Sequence, residues 1–144
     1  MLRSCAGSLL VCLVMMPTAS ADEKDAKALD GTWIPQSGEF GGNKFPDEIL
    51  KSIKLVIKDS KYSVTVGKEV DKGTAKVDGS KKPKEMDIVG TDGPNKGKTF
   101  PAIYELDGDT LKICYDLSGK ERPKTFKSES GTMSFLVVYK RSKS

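Results

Sequence analysis

The chain has 144 residues, with 24 lysines and arginines against 20 acidic side chains and a formal net charge of +4. Basic and acidic residues alternate along the apolar runs, which indicates a solvated surface of mixed charge and argues against a nucleic-acid-binding face. Histidine is absent, and this excludes Ser-His and Cys-His nucleophilic catalysis as well as any histidine metal site.

Residues 1–21 are predicted to be a signal peptide. Arg3 supplies the positive start, "LLVCLVMM" supplies a short apolar core, and Pro17 ends it. The residues at 19–21 read Ala-Ser-Ala, which has the small-x-small pattern of a cleavage site. The apolar run is too short for a good transmembrane helix.

Cleavage after this leader would leave residues 22–144 as one domain, exported to the periplasm, the cell surface or the medium. A lipid anchor at Cys12 is the alternative, but Val11 stands where a small residue is expected. Cleavage after Ala21 would also remove two of the three cysteines and leave Cys114 alone. The exported chain would then have no internal disulfide, and its stability would come from packing.

One short helical turn is predicted around Pro46, because proline suits the first helical position and acids follow it in "FPDEILKS". Elsewhere apolar residues alternate with polar ones at period two, which is typical of half-buried strands. The apolar sets predicted to face inward are Ile53, Leu55 and Ile57; Tyr62, Val64 and Val66; Ala75 and Val77; Met86 and Ile88; Phe100, Ala102, Tyr104 and Leu106; Leu111, Ile113, Tyr115 and Leu117; and Met133, Phe135, Val137 and Tyr139. With the strand opened by Trp33, the sequence predicts an all-β fold of about eight antiparallel strands in an up-and-down meander that closes into a barrel.

The hairpin "YELDGDTLKICY" allows two registers with a two-residue loop, either at Asp107-Gly108 or at Gly108-Asp109. The second would pair Glu105 with Lys112. Both place Tyr104 and Ile113 on the same face. The aspartates are therefore interpreted as turn residues, since no nearby spacing supplies the six or more oxygens of a calcium site.

The outward faces of the last long strands are less polar than expected. Ile103, Cys114, Leu136 and Val138 alternate with the inward set and form a possible interaction face. Such a cluster on adjacent strands suggests that something covers it. We expect the helical turn at Ile49-Leu50 or the N-terminal segment to pack there, with a protein partner as the alternative.

A closed meander joins its first strand to its last, so Trp33 and Arg141 are predicted to be neighbours. The guanidinium could then lie over the indole ring, worth about 0.5–2 kcal/mol. Gly31, Trp33 and Arg141 together resemble the lipocalin signature, a Gly-x-Trp on the opening strand with an arginine after the last. The alternative is a tryptophan that simply belongs to the core.

Several motifs strengthen that resemblance: "LDGTW", "KKPKEMDI", "DGPNKGKT", "AIYELDGDTLKICY" and "ERPKTF". In their order and spacing, over nearly all of residues 29–141, they resemble the planctomycete lipocalin-like domain family of unknown function, a family of small exported bacterial domains. Ala102 departs from the pattern, which has glycine there. The resemblance implies a barrel-like fold and an exported location, and it implies no activity.

Two proline loops, "GSKKPKEMD" and "SGKERPKTF", place basic side chains beside Pro83 and Pro123. They allow an anion-binding rim, but solvated turns are the favoured interpretation. Since three predicted strands separate the loops, they should lie at opposite ends of a meander, unless "KTFKS" adds a strand. The side chains of the possible rim are Lys81, Lys82, Lys84, Arg122 and Lys124.

The segment "TDGPNKGK" at residues 91–98 is glycine-rich but is not a phosphate-binding P-loop, because it runs into a predicted strand rather than a helix. We expect a flexible loop at a barrel mouth.

Cys114 alone cannot form a thiolate zinc site and is interpreted as a small buried hydrophobe. The acids Glu85, Asp87, Glu105 and Asp116 leave a carboxylate-based hydrolase as an alternative, but a solvated face is the favoured interpretation, so no enzyme, cofactor or metal is predicted.

The interior is the remaining candidate site, because an eight-stranded barrel either fills with side chains or holds one small ligand. Tyr62, Tyr104 and Tyr115 offer hydroxyls that could orient a ligand, and Phe135 offers an apolar contact. The leading functional prediction is a monomeric, non-enzymatic binding module for a small apolar or amphipathic molecule. The alternative is a packed structural domain that meets an envelope protein through its outer apolar face. An empty interior would favour the first.

Overall fold

In the part of the chain that the structure describes, nine antiparallel strands form one sheet, and eight of them close into a barrel. The structure, a computed structural model, describes residues 21–143. Residues 1–20 of the predicted signal peptide lie outside the described residues, and its last residue, Ala21, begins α1. The elements in chain order are α1 (Ala21–Ala28), β1 (Gly31–Phe40), β2 (Asn43–Lys44), α2 (Asp47–Lys51), β3 (Ile53–Lys58), β4 (Lys61–Val66), β5 (Glu69–Asp78), β6 (Lys84–Asp92), β7 (Thr99–Asp107), β8 (Thr110–Asp116) and β9 (Ser134–Arg141).

The barrel closes between its first strand and its last. The two strands pair from Trp33 opposite Arg141 to Phe40 opposite Phe135, with an irregularity after Pro35. Each remaining strand pairs with its sequence neighbour, and β2 only extends β1 as a two-residue hairpin. The predicted up-and-down barrel of about eight strands is therefore confirmed, and closure leaves its long strands without free edges.

The two ends of the barrel differ in what closes them. The end that holds Trp33 carries α1 and the turns after β3, β5 and β7. The opposite end, called the mouth below, carries α2 and the loops after β4, β6 and β8. The loops that hold Pro83 and Pro123 leave opposite ends of the barrel, but they do not stay apart as predicted. Residues 117–133 add no strand and fold back along the outside of the sheet, where Arg122 pairs with Glu85 and Asp87 at the start of β6.

Alternating side chains build the core. Strand β3 alternates buried and exposed residues throughout, with Ile53, Leu55 and Ile57 inside. The β7–β8 hairpin turns at Gly108-Asp109 and pairs Glu105 with Lys112, so the second of the two predicted registers is the one adopted. Met133, which was predicted to face inward, instead precedes β9 and is 48% exposed.

The two helices are short and lie at opposite ends of the barrel. Helix α1 packs against β5, and Asp25 pairs with Lys84 at 3.1 Å. Helix α2 confirms the predicted helical turn but begins at Asp47, so that Pro46 precedes the helix instead of occupying its first position, and the helix buries Leu50. Within residues 21–143, no helix is both long and apolar enough to span a membrane.

The outer apolar face is covered, but by a segment that we did not predict. Ile103 and Cys114 are almost fully buried, whereas Leu136 and Val138 are half-buried. The covering segment is the long β8–β9 loop, residues 117–133, in which the Lys127 carbonyl accepts a hydrogen bond from the Cys114 Sγ at 3.5 Å. The expectation that α2 or the N-terminal segment packs there was wrong, because those contact β1, β3 and β5 instead.

Candidate functional site

The barrel encloses a cavity of about 340 Å³. A single water needs only about 10–15 Å³ by the same kind of measure, so this space is far larger than a packing defect. Its lining includes Ile49 and Val66, whose exposures of 43% and 45% show that the cavity reaches solvent at the mouth. The interior is thus open to a small molecule from one end.

The cavity wall is almost entirely apolar. Strands contribute their inward residues at period two, and α2 contributes Ile49 and Leu50 at the mouth. The lining consists of Phe45, Ile49, Leu50, Ile53, Leu55, Ile57, Tyr62, Val64, Val66, Asp71, Ala75, Met86, Ile88, Asn95, Phe100, Ile113, Tyr115, Leu117, Phe135, Val137 and Tyr139. Among these residues Asp71 is the one with a charged side chain.

A polar cluster of Tyr62, Asp71 and Asn95 interrupts the apolar wall. The Tyr62 hydroxyl donates to the Asp71 Oδ2 at 3.3 Å, and the Asn95 Nδ2 donates to the same oxygen at 2.9 Å. The Asn95 backbone N–H donates to the Asp71 Oδ1 at 3.3 Å. Burial raises the pKa of Tyr62 well above 10.0, and the adjacent Asp71 charge and hydrogen bond raise it further. The tyrosine therefore remains a neutral donor at physiological pH.

Two glycines make room for this cluster. A Cβ on Gly73 would lie 2.6 Å from a ring carbon of Tyr62, and a Cβ on Gly90 would lie 2.0 Å from the Asn95 carbonyl oxygen. The loop that carries Asn95 also bonds to Gly90, because Gly90 donates to the Lys98 carbonyl and accepts from Gly97, both at 2.9 Å. Residues 91 and 92 end β6, and residues 93–98 form a loop that lies at the mouth as predicted, where backbone hydrogen bonds hold it.

A second polar feature of the wall is the pair Tyr115 and Tyr139. Burial raises the pKa of both phenols, that of Tyr139 to about 12. A hydrogen bond between them raises the pKa of Tyr115 and lowers that of Tyr139, as expected if Tyr115 is the donor. Both phenols therefore stay neutral at physiological pH.

The structure brings together three of the four residues predicted to contact a ligand. Tyr62, Tyr115 and Phe135 line the cavity, and the Tyr115 and Phe135 rings stack with centroids 5.7 Å apart. Tyr104 is only 2% exposed and belongs to the core, but it does not line the cavity. The prediction that Tyr104 faces inward was correct. Its position along the barrel axis depends on the stagger between neighbouring strands, which the alternation of residues does not specify.

Sequence reasoning missed Asp71, Asn95 and Tyr139 as site residues. Asp71 lies on the inward-facing side of β5, together with Gly73, Ala75 and Val77. An acidic residue in a series that faces the barrel interior is the feature of the sequence that could have identified it. Tyr139 was correctly placed inside but was not selected. Nothing in "TDGPNKGK" marks Asn95, because its role depends on how the loop folds back.

The predicted Gly31, Trp33 and Arg141 unit is assembled at the end opposite the mouth. The Arg141 guanidinium carbon lies 4.3 Å from the Trp33 ring centroid. The guanidinium also donates to the carbonyls of Ala28 and Asp30. Gly31 has a φ of 144°, and a Cβ there would lie 2.9 Å from the Arg141 Nη1. These contacts make the unit a structural element of the closed end.

The side chains of the possible anion rim do not converge. Lys84 pairs with Asp25, while Arg122 pairs with Glu85 at 3.5 Å and with Asp87 at 2.5 Å. Arg122 also donates to backbone carbonyls of β6 and β7 on the outside of the barrel. Since Lys84 and Arg122 are neutralised by acids within the chain, the solvated-turn interpretation is the better one.

Comparison of the chain with protein-family models, with curated proteins and with solved structures gave no match. The geometry of the cavity is therefore the basis on which a function is inferred.

Proposed function

We propose that this protein is a non-enzymatic binding module that takes one small apolar or amphipathic molecule into its barrel. The observation that carries the proposal is the open cavity of about 340 Å³. This volume falls within the range of roughly 300–1,000 Å³ that ligand pockets occupy. Apolar walls with a few placed polar groups are what such a ligand requires, because burial supplies affinity and the polar groups fix orientation.

The alternative, a packed domain that meets an envelope protein through its outer apolar face, has less support. It was expected to combine a filled interior with an uncovered patch. Ile103 and Cys114 are instead 2% and 0% exposed, beneath residues 117–133. A partner would have to displace that loop before it could reach them.

Export is part of the proposal and rests on the leader pattern of residues 1–21, together with the resemblance to small exported bacterial domains. N-terminal sequencing of the protein from its native cells tests it. A mature chain that begins at Asp22 is expected, and a chain that keeps Met1 would contradict export by this route.

Fluorescence titration with N-phenyl-1-naphthylamine, a neutral apolar dye that brightens in apolar surroundings, tests the binding function. We expect saturable binding of one dye per chain. Ala75 lines the cavity and is 2% exposed, so Ala75→Leu should fill part of the space and weaken binding by about tenfold or more. Ala28→Leu, the same change at an exposed site on α1, is the matched control and should bind as the wild type does.

If Ala75→Leu does not fold, as judged by circular dichroism, Val64→Phe makes the same test from a neighbouring strand of the cavity wall. The absence of dye binding to the wild type would contradict the proposed function. Equal binding by the wild type and a folded cavity-filling variant would also contradict it, because the dye would then occupy another surface.

A further inference from the structure

Asp71 is the one acidic or basic side chain that is buried in the described part of the chain. It is 9% exposed and belongs to the inward phase of β5. It lines the cavity, near the end where Asn95 folds over from the β6–β7 loop. A carboxylate in this position is unusual, since charged groups are rarely buried without a partner of opposite charge.

The hydrogen-bond donors that reach Asp71 from the described residues are all neutral. They are the Tyr62 hydroxyl, the Asn95 amide group and the Asn95 backbone N–H, at 2.9–3.3 Å. None of the ion pairs found within residues 21–143 includes Asp71. A carboxylate has about four acceptor positions, and these donors occupy three. The site therefore retains one negative charge and room for a further donor.

The cavity wall has no positive counterpart to Asp71. No lysine or arginine of the described chain lines it, and Lys51, Lys68 and Lys96 are exposed outside it. A ligand carboxylate inside the cavity would consequently meet a like charge and no compensating base. A ligand cation would meet a charge-assisted hydrogen-bond acceptor within an apolar wall, where such bonds are stronger than in water.

We infer that the cavity selects molecules in which an apolar body carries a protonated amine, with the ammonium group bound to Asp71 and the apolar body against the barrel interior. This inference rests on the proposed binding function and adds the chemical class of the ligand. The Tyr62 and Asn95 donors would hold the carboxylate in place, so that its remaining acceptor position faces the incoming ammonium group.

Displacement of N-phenyl-1-naphthylamine by octylamine, octanol and octanoate at pH 7 tests the inference, because the three probes share one alkyl chain and differ in charge. The wild type should bind octylamine at least about tenfold more tightly than octanol, as expected for one charge-assisted hydrogen bond, and should bind octanoate most weakly. Asp71→Asn should reduce the octylamine-to-octanol ratio to about one. Glu69→Gln removes a negative charge from an exposed site on the same strand and should leave the ratio unchanged.

A purely structural role for Asp71 is tested separately with Asn95→Ala, which removes the Asn95 side-chain donor and keeps the carboxylate. Retention of the amine preference in this variant supports a direct contact with the ligand. If Asp71→Asn does not fold, the wild-type ratio alone decides. Dye binding with equal displacement by octylamine and octanol overturns the inference while the binding function stands. Absence of dye binding overturns both.

Discussion

The Arg141 guanidinium lies over the Trp33 ring, with 4.3 Å between the guanidinium carbon and the ring centroid, across the pair of strands that closes the barrel. The indole N–H donates to the Leu29 carbonyl at 2.9 Å, and Trp33 is fully buried. Trp33 therefore links three parts of the chain, namely β1, β9 and the segment that precedes β1. The cavity opens at the other end, so the closed end can be rigid without obstructing a ligand.

Arg141→Lys is expected to lower the free energy of unfolding by about 1–3 kcal/mol. Lysine keeps the charge but loses the planar fork that stacks on Trp33 and donates to two carbonyls and to Asp109. Urea unfolding measures the loss. Lys140→Ala, an exposed change on the same strand, should stay within about 0.5 kcal/mol of the wild type. Equal effects of the two changes would show that the stacked arginine has no special role.

Cys114 should react very slowly with a thiol reagent in the native protein. It is fully buried, and burial raises its pKa, which further reduces the thiolate that reacts. Phe126→Ala removes a loop side chain whose ring lies 5.3 Å from the Lys112 Nζ, so this variant should react faster. Met133→Ala, an exposed change in the same loop, is the control. Rapid labelling of the wild type would show that residues 117–133 do not cover the outer face.

Gly90→Ala is expected to destabilise the protein by about 2–3 kcal/mol, because the added methyl group would meet the Asn95 carbonyl at 2.0 Å. Gly97→Ala lies in the same loop and meets nothing within 4 Å, so it should cost only the strain of a left-handed backbone, about 1–2 kcal/mol. The variant at position 90 should also lose protection of the Asn95 amide in hydrogen exchange. Unchanged protection at Asn95 would refute this arrangement of the loop.

Stability should fall at high pH through the buried phenols. The pKa of Tyr139 rises from 10.0 to about 12 on folding, chiefly through burial. The folded chain thus keeps a proton that the unfolded chain has lost, and this contribution is complete below pH 10 and lost as the pH rises toward 12. The slope from this residue is up to about 1.4 kcal/mol per pH unit.

Urea unfolding between pH 9 and 11 measures this slope. Tyr139→Phe should flatten the decline in the upper part of the range, whereas Leu136→Met, a change without a titrating group on the same strand, should retain the wild-type slope. A Tyr139→Phe curve parallel to that of the wild type would show that this phenol does not ionise differently in the two states.

The barrel and its closure were predictable because they depend on local alternation and on the requirement that edge strands be paired. Gly31, Trp33 and Arg141 are enough in the sequence to predict which two strands close the barrel. Likewise, the chemistry of Gly108-Asp109 limited the β7–β8 register to two choices.

The cavity and its cover were harder to predict, for two physical reasons. Whether about twenty apolar side chains fill a barrel depends on the stagger between neighbouring strands and on the summed volumes of the side chains. For this reason Tyr104 was predicted to contact a ligand, although it does not line the cavity. Residues 117–133 have no periodic pattern, and long loops take routes that alternation does not specify. Asp71 could have been identified as a cavity residue from the sequence, because it alternates in β5 with residues that face outward.

Native mass spectrometry of the protein, purified under mild conditions from the cells that make it and then incubated with excess N-phenyl-1-naphthylamine, tests ligand binding in the barrel most directly. We predict a non-covalent adduct of one small molecule per chain, either present from the start or formed with N-phenyl-1-naphthylamine, that disappears on denaturation and is weaker in Ala75→Leu. A chain that stays bare both before and after incubation, while remaining folded, would contradict a binding role for the cavity.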